Sequence, residues 1–388
     1  MRSQTRSALG ALALGVAMLA AAHNAAMRQE GGFIVTLGTD TVAADSWVIL
    51  DHGEQTGVQM ARRAARVVTT YYTLDLDKAG NLAKYEVAAY APGQAPPTGH
   101  PLVHSIWTPV GDGIREVVHT DSAHELHLVT PPSTLPFLDL GFGMWQVLTR
   151  RLAASHQDSI VVPMFFVNDT THYTTVVKRA GEDSATITSV YGVGRAKIDA
   201  HGMILGYDAP GSTTQVIATP VKHVDVKALA AAFAQRPALG RLSPADTVRA
   251  TVGAAHVWIA YSRPSMRGRA IFGSVVPWNV WWRTGANAAT TMVTDKDLVI
   301  GGTTVPAGEY TLFSLPNPTE WQLIISKKTK EWGTDYDPSM DLARVPMTVA
   351  ALPAPLDLMT IAITPQGNGA MLTVSWEKTA ASVMIQAK

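Results

Sequence analysis

Between Ser262 and Asn287 the chain reads SRPSMRGRAIFGSVVPWNVWWRTGAN and gathers side chains suited to holding a ligand. Arg263, Arg267, Arg269 and Arg283 offer planar, bidentate donors to carboxylate, phosphate or sugar oxygens, while Trp278, Trp281 and Trp282 offer faces for ring stacking. With Asn287 and Thr290 at a pocket rim, the expected binding set is Arg263, Arg267, Arg269, Trp278, Trp282, Arg283, Asn287 and Thr290. Its ligand would be a small polar molecule or a glycan. The same residues have an architectural use. Buried arginines must be paired and tryptophans build the cores of small sandwiches, so arginines bonded to loop carbonyls or to Asp295, Asp297 or Asp335 would pin a long β connection. Asn287 and Thr290 would then close a turn through side-chain to backbone bonds.

A second cluster, VVHTDSAHELHLV, places His119, Asp121, His124 and His127 close together. Imidazoles and carboxylates ligate zinc, and a hairpin would set His119 opposite His124 or His127. The spacing fits no zinc template, and in a strand His124 and His127 point to opposite faces. His100 and His104, flanking Pro101, do no better, so no metal site and no cofactor are expected. There is no G-x-S-x-G elbow, H-E-x-x-H, P-loop or strand-to-helix G-x-G-x-x-G, and HELH at 124–127 is not the zincin pattern. A hydrolase whose residues converge from distant strands, for instance His172 with Asp169 or Asp183, stays open as an alternative to a non-catalytic binding role.

The elements that must position these side chains are mostly strands. Alternation runs through GFIVTLGTDTVAADSWVIL, through ARVVTTYYTLDLD and NLAKYEVAAYA around a Lys-Ala-Gly-Asn turn, and through a hairpin turning at Asp121-Ser122-Ala123. FLDLGFGMWQVLTRRLAAS carries the helical spacing Met144, Leu148, Leu152, with Arg150 and Arg151 near its end, and is expected to cover one face of a curved antiparallel sheet. MFFV, FLDLGFGMW and VVTTYY supply either an ordinary core or the lining of a cavity for a lipid or other hydrophobic ligand, with that helix as lid. VDVKALAAAFAQR then reads as a helix and PALGRLSPADT as a linker. Further strands follow at the regular spacing of a β-sandwich. The expected organisation is residues 27–221 as a β-rich domain with one helix, 222–245 as helix and linker, and 246–388 as a β-sandwich.

The 388 residues suit two domains. Lys plus Arg and Asp plus Glu balance at 31 each, which removes the electrostatic argument for nucleic acid as a partner. The absence of cysteine rules out disulfides, thiolate metal sites, cysteine nucleophiles and a lipoprotein anchor. The first 26 residues have Arg2 and Arg6, an apolar run from Ala8 to Ala22 and small residues suited to cleavage after Ala22 or Ala26. They read as a secretory signal, which implies a periplasmic or extracellular protein with no integral membrane segment once it is cleaved.

From about Leu242 onward SPADTVRATVG, YSRPSMRGRAIFGSVVP, WRTGANAATTMVTDKDLVIGG, PAGEYTLFSLP, EWQLIISK, WGTDYDP and VSWEKTAASV occur in order. By these motifs the C-terminal part resembles the secreted bacterial domain-of-unknown-function family numbered 2911. The resemblance implies a β-rich exported domain and imports no activity. Where that family commonly has a glutamate after Gly-Ala-Asn, this chain has Ala288, so a mechanism needing that carboxylate is not available here. Residues 31–240 resemble no family securely.

Overall fold

The computed structural model describes residues 27–50, 53–170, 172–212 and 215–388. The expected leader lies outside them. The chain divides into two compact units, Met1–Gly240 and Arg241–Lys388.

The first unit contains strands β1 (Met27–Leu37), β2 (Asp40–Leu50), β3 (Gln55–Arg62), β4 (Val67–Leu76), β5 (Leu82–Tyr90), β6 (Val103–Val110), β7 (Gly113–His119), β8 (Ala123–Val129) and β9 (Leu135–Pro136). Helix α1 (Phe142–Ser155) follows, then β10 (Ser159–Phe165), β11 (His172–Arg179), β12 (Ser184–Ser189), β13 (Gly192–Ile198), β14 (Ile204–Ser212), β15 (Val216–Val221) and helix α2 (Val226–Ala234). All fifteen strands join in one sheet that runs from β8 back to β1, crosses to β15, and runs back again to β9. The crossing is the β1–β15 ladder, with Ile34 opposite Thr219. Every ladder is antiparallel except the short β9–β10 pairing.

A sheet of this width curls under its own strand twist. Trp107 of β6 meets Phe165 of β10 edge-on at 6.4 Å, and the Asn168 N–H donates to Glu116 of β7 at 2.9 Å. The two ends therefore approach each other, while no ladder joins β8 to β9 among the described residues.

Neighbouring residues of β2 show how the two helices are placed. Successive side chains point to opposite faces of a strand. Asp45 faces α1 and accepts the Gly143 N–H at 2.8 Å, whereas Ala44 faces α2 and packs with Met60, Val67 and Phe233. On the α1 side Asp45, Gln59 and Thr70 stand opposite one another across β2, β3 and β4. Met144, Leu148 and Leu152 are buried as their spacing predicts, and so are Phe142, Trp145 and Val147. The helix is enclosed by the curled sheet on more than one side, which is why its apolar surface exceeds a single stripe.

The second unit contains β16 (Ala245–Val252), β17 (Ala255–Ser262), β18 (Thr290–Thr294), β19 (Leu298–Ile300), β20 (Thr303–Val305), β21 (Gly308–Leu315), β22 (Glu320–Ser326), β23 (Asp341–Gln366) and β24 (Gly369–Ala387). They form one antiparallel sheet in the order β16-β17-β18-β21-β22-β23-β24-β19-β20. A straight strand as long as β23 would span roughly 85 Å. It bends instead at register shifts between Ala351 and Thr360, where Pro353 and Pro355 remove ladder donors. The sheet thus folds over one core that includes Val257, Met292, Leu312, Trp321, Ile361 and Trp376.

Candidate functional site

The arginines of the 262–273 loop turn to the second half of β23. Arg263 donates from Nε to the Met359 carbonyl at 2.9 Å and from Nη2 to Thr360 Oγ1 at 2.8 Å, and lies 3.3 Å from the Asp246 carboxylate. Asp357 accepts the Arg267 N–H at 2.9 Å, and Arg269 donates to the carbonyls of Met266 and Ser265 at 3.1 and 2.7 Å. Burial, and then the neighbouring Arg267, lowers the pKa of Arg269. Backbone bonds from Met266 to Asp357 and from Met359 to Pro264 complete the seam, and the Glu377 carboxylate takes the N–H groups of Ile271 and Phe272. These contacts fasten a long connection onto the place where β23 has lost its ladder.

The tryptophans divide by residue parity. Trp282 bridges Ser314 and turns inward, stacking on Trp376 at 5.9 Å and meeting Phe272 edge-on. Trp278 stacks on Phe272 at 5.9 Å. Trp281 points the other way, onto Tyr336 at 4.9 Å and Phe313 at 5.7 Å. There a second, smaller core of Ala289, Phe313 and Ile324 lies beneath the loop, with Leu315 and Tyr336 against it.

Arg283 belongs to this outer patch. It is 8% exposed, burial lowers its pKa, and its guanidinium donates to the Asn287 carbonyl at 3.3 Å. No ion pair to Arg283 is found among the described residues. Its stem is overlain by Gly333, where a Cβ would come within 2.5 Å of Arg283 Cδ, so only glycine lets the 331–333 segment cross here. That segment is held by a bridge between Ala288 and Trp332, by Gly333 N–H to Asn287 O at 3.1 Å, and by Ala289 N–H to Glu331 O at 3.3 Å. Residues opposite each other on such a ladder project to the same face. Glu331 therefore points with Ala289 toward the small core, and both its carboxylate oxygens are shut off from solvent with no hydrogen-bond partner. Trp332 projects the other way and is 54% exposed.

Asn287 and Thr290 frame this patch. Asn287, at φ +60°, supplies the carbonyl that both Arg283 and Gly333 use, and its amide reaches Ser262 at 3.5 Å. Thr290 is buried and donates to the Thr284 carbonyl at 2.9 Å. Of the expected set, Arg283, Asn287 and Thr290 come together, with Trp281 beside them. Arg263, Arg267 and Arg269 hold the β23 seam, and Trp282 is in the core. Sequence reasoning did not single out Glu331 or Trp332, although WGTDYDP, beginning at Trp332, already stood out as a motif.

The histidines do not converge. The turn at Thr120–Ser122 sets Ala123 opposite His119 and Val118 opposite His124, so His119 meets His104 of β6 instead, stacked at 5.7 Å. His104 bonds Glu86 at 3.0 Å; this bond, with help from Lys84, holds the Glu86 carboxyl down at about 2. His124 bonds Asn168 at 2.8 Å. Among the described residues no three His, Asp or Glu side chains gather as a metal site would need.

Residues 243–385 match the family described as protein of unknown function (DUF2911). No curated protein matches the chain. Among solved structures, a DUF1089 family protein from Pseudomonas aeruginosa aligns at 11% identity over 44% of this chain and 91% of that one, with a TM-score of 0.32. A β-barrel-like protein of domain of unknown function DUF1849 from Brucella abortus aligns at 11% identity over 51% and 98%, with a TM-score of 0.34. No described helix is long and apolar enough to cross a membrane.

Proposed function

We propose that the protein is an exported, non-catalytic binding protein whose second unit takes a small polar ligand or glycan at the patch formed by Arg283, Asn287 and Trp332. The observation that carries this reading is a buried guanidinium without an ion-pair partner beside an exposed tryptophan. Arg283 is buried with the Asn287 carbonyl for a partner and no ion pair among the described residues, and Trp332, next to the Gly333 that overlies its stem, is 54% exposed. Burying an ion without a counter-ion costs several kcal/mol. A polyol or sugar supplies hydroxyl oxygens that accept from a guanidinium, and the exposed Trp332 ring provides the flat face that sugars stack on. Export is supported by the composition of residues 1–26, and the binding role by the absence of any nucleophile-and-base arrangement in the motifs.

Calorimetric titration against a panel of neutral and acidic mono- and oligosaccharides tests this. Trp332→Ala should weaken binding at least tenfold and leave the melting temperature almost unchanged, because the ring is exposed. Glu331→Gln, on the opposite face of the segment from Trp332, should leave binding unchanged. The reading fails if no sugar binds at millimolar concentration, or if Trp332→Ala binds as the wild type does.

A further inference from the structure

We infer, resting on the sugar-binding role proposed for the Arg283 patch, that its ligand is an acidic sugar: a pyranose whose carboxylate sits on the Arg283 guanidinium while its ring lies on Trp332. Every residue of the second unit is described, and none of its carboxylates lies within ion-pair distance of Arg283. A guanidinium carries five N–H donors. Nη1 gives one of them to the Asn287 carbonyl at 3.3 Å, and Nε and Nη2 make no hydrogen bond among the described residues. Nor are these two nitrogens sealed from solvent, as Trp321 Nε1 and both oxygens of Glu331 are. The Nε–Nη2 edge, which holds a carboxylate through two parallel bonds, is therefore open to a ligand.

Charge balance favours an anion over a neutral sugar. Burial lowers the Arg283 pKa with no carboxylate to offset it, whereas Asp77 partly offsets the same loss at Arg151. A neutral sugar offers this cation hydroxyl dipoles and leaves its charge uncompensated. A carboxylate supplies the hydrogen bonds and the counter-charge together. Its two oxygens lie in one plane, as the fork requires, and its single charge matches a single guanidinium. A phosphate brings a third oxygen out of that plane and most of a second charge.

The rest of the patch suits the ring. Gly333, which overlies the Arg283 stem, directly follows Trp332, so the charged edge and the exposed indole belong to one short crossing. Asn287 is exposed, its amide nitrogen reaches Ser262 only at 3.5 Å, and its Oδ1 accepts no hydrogen bond among the described residues. That oxygen is placed to take a ring hydroxyl. The Asn287 carbonyl and the close cover of Gly333 hold the Arg283 side chain in position beforehand, which reduces the ordering that binding must impose.

Calorimetric titration of the full chain compares glucuronate and galacturonate with glucose, galactose and the methyl esters of both acids, which keep the ring and lose the charge. At least one acid should bind at least tenfold more tightly than its own ester and its neutral parent. Glucose 6-phosphate, the phosphate arm, should bind more weakly than the better uronate. Arg283→Gln should bring acid and ester to the same affinity, while Trp332→Ala should weaken both alike. Equal binding of acid and ester by the wild type overturns the acidic-sugar assignment and leaves sugar binding standing, whereas no binding of any sugar at millimolar concentration overturns both. A sugar phosphate that binds more tightly than the uronates, or an acid preference that survives in Arg283→Gln, also overturns the assignment. The acid and ester comparison uses the unaltered protein, so it decides the matter even if Arg283→Gln fails to fold.

Discussion

Asp45 is fully buried, and its environment pulls in two directions. Loss of water raises its pKa to about 7, against hydrogen bonds from the backbone of Gly143, Phe33 and Phe142 that favour the charged form. Burial wins. A carboxyl whose pKa is higher in the folded than in the unfolded chain binds its proton more tightly when folded. Its contribution to stability is therefore complete below the unfolded value near 3.8 and is lost as pH rises through about 7. A shift of this size corresponds to on the order of 4 kcal/mol. Asparagine retains an oxygen to accept from the Gly143 N–H and never ionises. Urea unfolding of the Asp45→Asn variant should therefore show a stability advantage over the wild type that grows between pH 4 and pH 7 and then levels off. An advantage independent of pH would mean that Asp45 is not desolvated as described.

The structural task of Asp45 is to begin a helix. Residue Gly141 at the N-cap of α1 provides no side-chain bond, so the first turn is capped from outside, by Asp45 of β2. The Gln55 amide adds a bond at 2.7 Å to the Gly143 carbonyl. Gly143 is the contact point. In an ordinary helix interior, glycine to alanine stabilises by roughly 0.5–1 kcal/mol. Here a Cβ would stand 2.8 Å from both Trp47 Cδ1 and the Tyr72 hydroxyl, so the sign reverses. Gly143→Ala should destabilise by about 1–3 kcal/mol, read as a lower urea midpoint with an unchanged slope. A neutral or stabilising result would mean that the helix start sits further from the sheet. Such contacts show how far local pattern reaches. The alternation in β4 and β5, the β7–β8 hairpin and the spacing of Met144, Leu148 and Leu152 were legible because each depends on neighbours in sequence. The burial of Asp45, on the face of β2 it shares with Trp47 and Ile49, and its bond to α1 were not legible, because both depend on a helix nearly a hundred residues away. The start of α1 at Phe142, rather than at the earlier apolar residues, follows from that distant cap. Arg283 was legible as a candidate, whereas Trp332 and Gly333 are brought over it by a bridge outside the long ladders, which leaves no periodic trace.

At the scale of the whole chain, the expected class, mainly β with a curved antiparallel sheet, one covering helix and a second β domain, matches the architecture. What pattern could not supply was strand order, because the β1–β15 ladder that unites the first sheet and the β24–β19 ladder that seats the short hairpin of the second join distant residues. All nine strands of the second sheet lie between Ala245 and Ala387, and so do both its hydrophobic clusters, the main core and the small one under Trp281. The β23 seam, the Glu377 bonds and the 331–333 crossing are internal to that segment as well. A unit that contains all its own ladders and core meets the requirement for independent folding. A fragment comprising residues 241–388 should therefore give a dispersed NMR spectrum, one cooperative urea transition, and the sugar affinity of the full chain within a factor of two or three. Collapsed amide shifts would refute its autonomy. A folded fragment that has lost sugar affinity shown by the full chain would instead place the ligand site outside the Arg283 patch, since every residue assigned to that patch is present in it.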